Sequence, residues 1–273
     1  MLSETFSAVS TATRRVFGNW SALAMVIVVY LALLVTLYSF VAVREASVTQ
    51  VAITFALAII APLLFFLLQA MIAAGFGDPS PTAGLLAKRS LVDFWKLIII
   101  TIPLVALAVL IVYLLAKYQS HLAATSPPPE LHPMAARGHE AARPPINWKG
   151  AAISTVRYLA LGLFLPLAAI HLWVATVRDG LFTALKRVGS VLGRAFAPQS
   201  VLIYLLGFLI FAVVPYLLLF RATPNKRAWL DISLLSFRLA AVAALMLIGW
   251  AITVKAIAYL QRAPAEPIKT EAA

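Results

Sequence analysis

Three polar side chains, Gln69, His171 and Lys255, stand inside long apolar runs of this chain. Such groups are costly in lipid, so they pair across helices, line a cavity or mark a site. His171 alone has acid–base capacity near neutral pH. As a set the three form a candidate polar layer that could hold an anionic headgroup or line a path, with Arg157 and Arg238 toward the opposite mouth. The plainer reading is that Gln69 and His171 bond neighbouring helices and Lys255 snorkels to headgroups.

A second group, His121, His132 and His139 with Glu130 and Glu140, contains types that ligate metals. Its spacing argues against a site. His139-Glu140-Ala-Ala-Arg143 lacks the second histidine of a zinc-protease helix, and the surrounding prolines deny a rigid supporting shell. The chain has no Cys, which excludes disulfides and thiolate-held metals. It also lacks a glycine-rich lysine loop, a dinucleotide fingerprint and a Gly-x-Ser-x-Gly elbow, so no cofactor is expected. Ser154, Thr155 and Thr253 have no base at a pairing distance along the sequence and read as packing hydroxyls.

The elements that position these residues follow from composition. Of 273 residues, 63% are hydrophobic and 12% charged, against roughly 45–50% and 25% in soluble domains. The mean hydropathy of +0.96 leaves too little polar surface to cover one water-soluble core. Six runs are long enough, at about 20 residues each, to cross a hydrocarbon layer: 20–43, 51–74, 96–116, 152–176, 201–220 and 234–260. They lack strand alternation, and backbone in lipid must bond internally, so the fold class is all-α: a polytopic membrane protein in a single membrane domain. The first run starts late and is long, and it reads as a retained span. None of the six holds an Asp or Glu, which disfavours ion-coupled transport. Pro62, Pro103, Pro166 and Pro215 fall inside spans and should bend them. Residues 117–150 carry six prolines and read as a flexible extramembrane loop; 261–273 reads as a disordered tail.

An internal pattern precedes the odd-numbered spans: Arg15-Val-Phe17, Arg89-Ser-Leu91 and Arg194-Ala-Phe196, each an arginine, any residue and an apolar residue at the entry to a span. The steps are 74 residues (15 to 89) and 105 residues (89 to 194). Removing the proline-rich insertion makes them similar. Three units of an interfacial amphipathic helix followed by a transmembrane hairpin would account for the chain. Between Arg178 and Phe196, Leu181, Leu185, Val188 and Leu192 follow the helical period, with Lys186, Arg187 and Arg194 opposite. Before span one, Leu2, Phe6, Val9 and Val16 face inward and Arg14 and Arg15 outward; before span three, Ser80 and Pro81 supply N-cap and first-turn chemistry. In this frame Gln69, His171 and Lys255 each lie about six residues from a span's inner end, or about 9 Å.

The formal net charge is +12, from 22 Lys+Arg and 10 Asp+Glu. In a multi-pass chain this points to anionic headgroups, and no nucleic-acid module accompanies it. Arg14, Arg15, Lys88, Arg89, Lys186, Arg187 and Arg194 are the candidate headgroup contacts. With the N-terminus inside, eleven Lys+Arg fall on inner segments and nine on outer ones, Arg157 and Lys255 lying within spans. That orientation puts both termini in the cytoplasm of a bacterial-type inner membrane. Tryptophans 20, 95, 148 and 229 read as interfacial anchors, as do Arg157 and Arg238.

The functional expectation is a non-enzymatic accessory, scaffold or lipid-organising protein, with lipid and a membrane protein as partners. The alternatives are a permease-like transporter using the polar layer, and an intramembrane enzyme on a lipid headgroup. Deleting Pro127 to Pro145 should leave folded yield in detergent nearly unchanged, because loop closure depends only logarithmically on length. Collapse of expression would instead make the segment a packed element.

Overall fold

The structure is a computed structural model that describes residues 2–44, 47–76, 81–125, 148–221 and 228–261. Among these residues every regular element is a helix, with no strand. Six helical rods are long and apolar enough to cross a membrane. The chain is a multi-pass membrane protein by that measure. Its elements are α1 (Leu2–Gly18), α2 (Trp20–Ala42), α3 (Val48–Ala74), α4 (Ala83–Thr125), α5 (Trp148–Leu159), α6 (Leu165–Asp179), α7 (Leu181–Lys186), α8 (Val188–Ala195), α9 (Pro198–Phe208), α10 (Val214–Phe220) and α11 (Ala228–Leu260). π turns at Ala160–Phe164 and Leu209–Val213 join α5 to α6 and α9 to α10.

Each π turn ends two residues before a proline, Pro166 or Pro215. A proline ring strikes the carbonyl four residues back and cannot donate to it. The wider turn is closed by Leu165 N to Ala160 O in one rod and Val214 N to Leu209 O in the other. It moves the obstructed carbonyl out of the ring's way. Pro62 and Pro103 lie inside helices without such a turn.

Helix starts follow local chemistry. Asn19 Oδ1 accepts from Ala22 N at 3.1 Å, so the chain passes from α1 into α2 with a one-residue break. Ser47 Oγ accepts from Gln50 N at 3.3 Å and bonds the Gln50 side chain at 3.2 Å, opening α3 earlier than the hydropathy did. Pro198 opens α9. By contrast α4 runs unbroken over 43 residues. The segment before span three is therefore not a separate interfacial helix, because no Gly or Pro interrupts Lys88 to Lys96. The helix starts at Ala83, so Pro81 precedes its first turn, and Ser80 lies outside the described residues. At its far end α4 continues past Ala116 through Thr125, into the segment read as loop. Residues 126–147 of that loop, with His132, His139, Glu130 and Glu140, and the tail after Gln261 lie outside the described residues; Trp148 to Gly150, also read as loop, open α5, and His121 is exposed on α4.

The chain forms two compact units. The smaller, residues 102–166, holds the later part of α4 and the rod from α5 through its π turn to Pro166. Ile153 is buried there, while Val109, Trp148 and Tyr158 are exposed. The larger unit contains residues 1–101 and 167–273. Its core sits toward one end of its helices. Leu68 to Ile72 of α3, Leu167 to Thr176 of α6 and Ala251 of α11 with Thr253 to Ala258 are buried. The remaining faces of α2 and α3 carry exposed Tyr38, Val41, Phe55 and Ile59. Ten consecutive buried residues show α6 surrounded on every side, and all but His171 and Thr176 are apolar or, in Trp173, largely so.

α1 packs on α11 through Thr5, Ala8, Ala12 and Val16, a stripe at helical spacing. Leu2 and Phe6, expected inward, stand 62% and 65% exposed instead. The small side chains win the protein contact because they let the two backbones approach. α9 meets α11 the same way. A Cβ at Gly207 would fall on the Thr253 hydroxyl, and one at Gly249 would press on Phe211 and Ile210 at 3.0–3.3 Å. Gly207→Ala should therefore lower thermal stability in detergent by about 1–3 kcal/mol, and Thr253→Ala in the same chain should recover part of it. An unchanged melting temperature for Gly207→Ala would remove the close approach from the account.

Candidate functional site

All three members of the polar layer are buried: Gln69 is 3%, His171 1% and Lys255 7% exposed. A buried polar group must be bonded or it costs several kcal/mol. Gln69 Oε1 accepts from Trp250 Nε1 at 2.7 Å. Lys255 Nζ donates to the Ala73 carbonyl at 2.8 Å and lies 5.9 Å from the Phe76 ring centre. Both contacts join α3 to α11. His171 belongs to a different junction. Its Nδ1 is 3.1 Å from the Leu167 carbonyl and so carries the proton, which leaves Nε2 of the neutral ring to accept from Ser200 Oγ at 3.2 Å. Ser200 Oγ is also 3.0 Å from the Arg194 carbonyl, so one hydroxyl proton serves two acceptors.

The three residues thus do not form a common ligand-facing surface. Gln69 and Lys255 bind α3 to α11, and His171 binds α6 to α9. The hydroxyl–imidazole distance resembles that of a nucleophile and its base, yet Ser200 is 4% exposed and its second contact is backbone. Lys255 does border a cavity, with Thr11, Arg15, Phe76 and Tyr259, but its volume is about 10 Å³. That is room for a single water at most. Buried side-chain atoms left without a partner among the described residues are Asn19 Nδ2, Ser90 Oγ and Thr176 Oγ1, none of them in the layer.

Cations end helices at several places. The last carbonyls of a helix have no partner within it and carry partial negative charge. Lys255 serves Ala73, in the last turn of α3. Arg178 Nη1 reaches the Gln261 carbonyl at 3.4 Å, just past α11. Arg238 Nη1 donates to the carbonyl of Arg221, which caps α10, at 2.8 Å. Arg238 is thus tied to a neighbouring helix end, while Arg157 is exposed.

Among the candidate headgroup contacts, Arg14, Lys88, Arg89, Lys186, Arg187 and Arg194 are exposed. Arg15 differs. Expected to face outward, it is half-buried, 6.0 Å from the Tyr259 ring centre. The α1 stripe that packs on α11 ends at Val16, which carries the neighbouring arginine over α11. The segment read as one amphipathic helix is two, α7 and α8, divided at Arg187 and set off from α6 by Gly180 at φ +86°. That conformation favours glycine. Ala184 and Ala195 face the protein, while Leu185 and Val188 are exposed.

Arg178, Asp179, Ser200, Trp250 and Gln261 are the residues that sequence reasoning missed. Ser200 is 29 positions from His171 and Trp250 is 181 from Gln69, so no local spacing announces either pair. Among the described residues no cluster of three or more His, Asp or Glu side chains is arranged to hold a metal. No family model, curated protein or solved structure matches the chain.

Lys255→Met should lower thermal stability by about 1–3 kcal/mol, since Ala73 loses a buried charged donor. Lys88→Met, at an exposed cation, should stay within about 0.5 kcal/mol. Equal melting temperatures for the two variants in one detergent would show that the Lys255 contact does not hold the α3 end.

Proposed function

We propose that this chain is a non-enzymatic, lipid-organising or scaffold protein of a bacterial-type cytoplasmic membrane. Its apolar outer faces take up lipid or a membrane partner, and its basic end meets anionic headgroups. One observation carries the reading: the buried polar side chains bond neighbouring helices, while six of seven candidate cations stand exposed. A permease-like path or a headgroup enzyme needs the polar layer turned toward a ligand. These side chains are turned toward helices.

The threefold repeat belongs to this reading. In the Arg-x-apolar pattern the middle residues, Val16, Ser90 and Ala195, are each 0% exposed. The equivalent position packs inward in all three units, with an arginine beside it. Breaks follow the first and third patterns, at Asn19 and Ala197, whereas the second continues into its span. Both termini lie on the cytoplasmic side in this scheme, together with α7 and α8. Exposed Trp20, Trp95, Trp148 and Trp229 suit interfacial anchoring.

Affinity purification from native membranes in mild detergent, with mass spectrometry of retained proteins and lipids, tests the proposal. Anionic phospholipid enriched over its bulk proportion, alone or with a stoichiometric membrane partner, is the expected result. A retained water-soluble solute without lipid enrichment would favour transport instead. A reporter fused after Ala273 should give a cytoplasmic signal, and a periplasmic one would reverse the orientation.

A further inference from the structure

The bend formed by the end of α6, the short helices α7 and α8 and the residue after α11 encloses a cleft of about 70 Å³. Its lining includes Arg178, Asp179, Thr183, Arg187, Arg194 and Gln261. Ligand pockets for larger organic molecules begin near 300 Å³, so this one admits a single small group. Charge decides which kind. Three arginines and one aspartate leave the lining at +2.

The aspartate is already engaged. Arg178 holds it with Nε to Oδ1 at 2.8 Å and Nη2 to Oδ2 at 2.7 Å, and spends Nη1 on the Gln261 carbonyl. Gln261 Nε2 is directed to the His171 carbonyl at 3.5 Å, and the hydroxyl of Ser190, also on the wall, donates to the Arg187 carbonyl at 2.9 Å. Arg187 and Arg194 are exposed, and neither guanidinium is hydrogen-bonded among the described residues, although Arg187 lies near enough for its charge to act on Asp179. Two guanidinium-bearing residues lining a small concave site suit a phosphate group by charge and by chemistry, since a guanidinium binds phosphate oxygens bidentately. Thr183 adds a hydroxyl. The fixed Arg178–Asp179 pair orders the wall without contributing net charge.

We propose that this cleft binds a single phosphate group, held by Arg187 and Arg194, with the body of the ligand outside. The proposal rests on the lipid-organising reading in placing the cleft at the headgroup layer. The phosphate belongs either to an anionic lipid headgroup or to a small soluble phosphate compound.

The test uses the full chain in phosphate-free detergent. It is titrated with inorganic phosphate and, separately, with mixed micelles containing phosphatidic acid or only phosphatidylcholine. R187Q/R194Q is compared with R44Q/K149Q, which removes two exposed cations that neither line the cleft nor belong to the candidate headgroup contacts, after checking that both melt like the parent without ligand. Binding of phosphatidic acid weakened about tenfold or more in R187Q/R194Q and kept in R44Q/K149Q is expected. If inorganic phosphate follows the same pattern, the site accepts soluble phosphate; if phosphatidic acid alone does, the source is lipid. Phosphatidic acid bound equally by R187Q/R194Q and the parent, or weakened equally in both variants, overturns the cleft while leaving a general anionic-lipid role in place. Binding of neither probe to the parent overturns the cleft, and the native-lipid purification then decides the broader reading separately.

Discussion

Carbonyls at helix ends constrain the end of this bundle where its core lies. A helix that stops near lipid leaves carbonyls that neither its own backbone nor hydrocarbon can bond. Lys255 meets that need at Ala73 and Arg178 at Gln261, and each cation comes from a different helix than the carbonyl it serves. Capping therefore doubles as tertiary structure. The Lys255 bond fixes α11 against α3, and Trp250, five residues earlier on α11, donates to Gln69 of α3. Two directed bonds along one pair of rods set their register in a medium where apolar contact alone discriminates weakly.

Around that junction the packing depends on small side chains. Ala8 and Ala12 seat α1 on α11, and Gly207 lets α9 approach Thr253. Thr253 returns its own hydroxyl to the Gly249 carbonyl at 2.7 Å, so no polar atom is stranded where the helices are closest. Larger residues fill the next layer. Trp173 of α6 lies edge-on to Phe65 and Phe66 and donates to Thr101 at 2.8 Å, while Phe211 stands edge-on to Trp250. Aromatic edges and faces hold orientation where dispersion alone would let the rods rotate.

The spans were legible in the sequence because lipid demands about 20 apolar residues whatever packs on them; the second span at 51–74 became Val48–Ala74. Their ends were less legible. α4 ran on in both directions because hydropathy marks where apolar residues stop, whereas a helix stops only where a breaker or cap intervenes. Gln69, His171 and Lys255 were identifiable as unusual, and all three are buried. Their partners were not legible, since a hydrogen bond across 181 positions leaves no local trace. The face of α1 was misjudged for a related reason. Periodicity locates an apolar stripe, but the packing of α1 on α11 selects small side chains for the contact, so Ala8 is buried and Phe6 exposed.

The two proline-linked π turns show how a local rule can serve the whole. Each precedes its proline by the same interval, in rods with no obvious sequence likeness beyond that proline. A π turn rotates the downstream helix by the angle of one inserted residue, so side chains beyond it leave the stripe that hydropathy would assign. In the rod that ends at Asp179, the residues after the turn include the fully surrounded run from Leu167 to Thr176, with His171 at its middle. In both rods the bend that a proline would impose is taken up by a wide turn closed one residue further back, so a single steric rule accounts for two elements far apart in the chain.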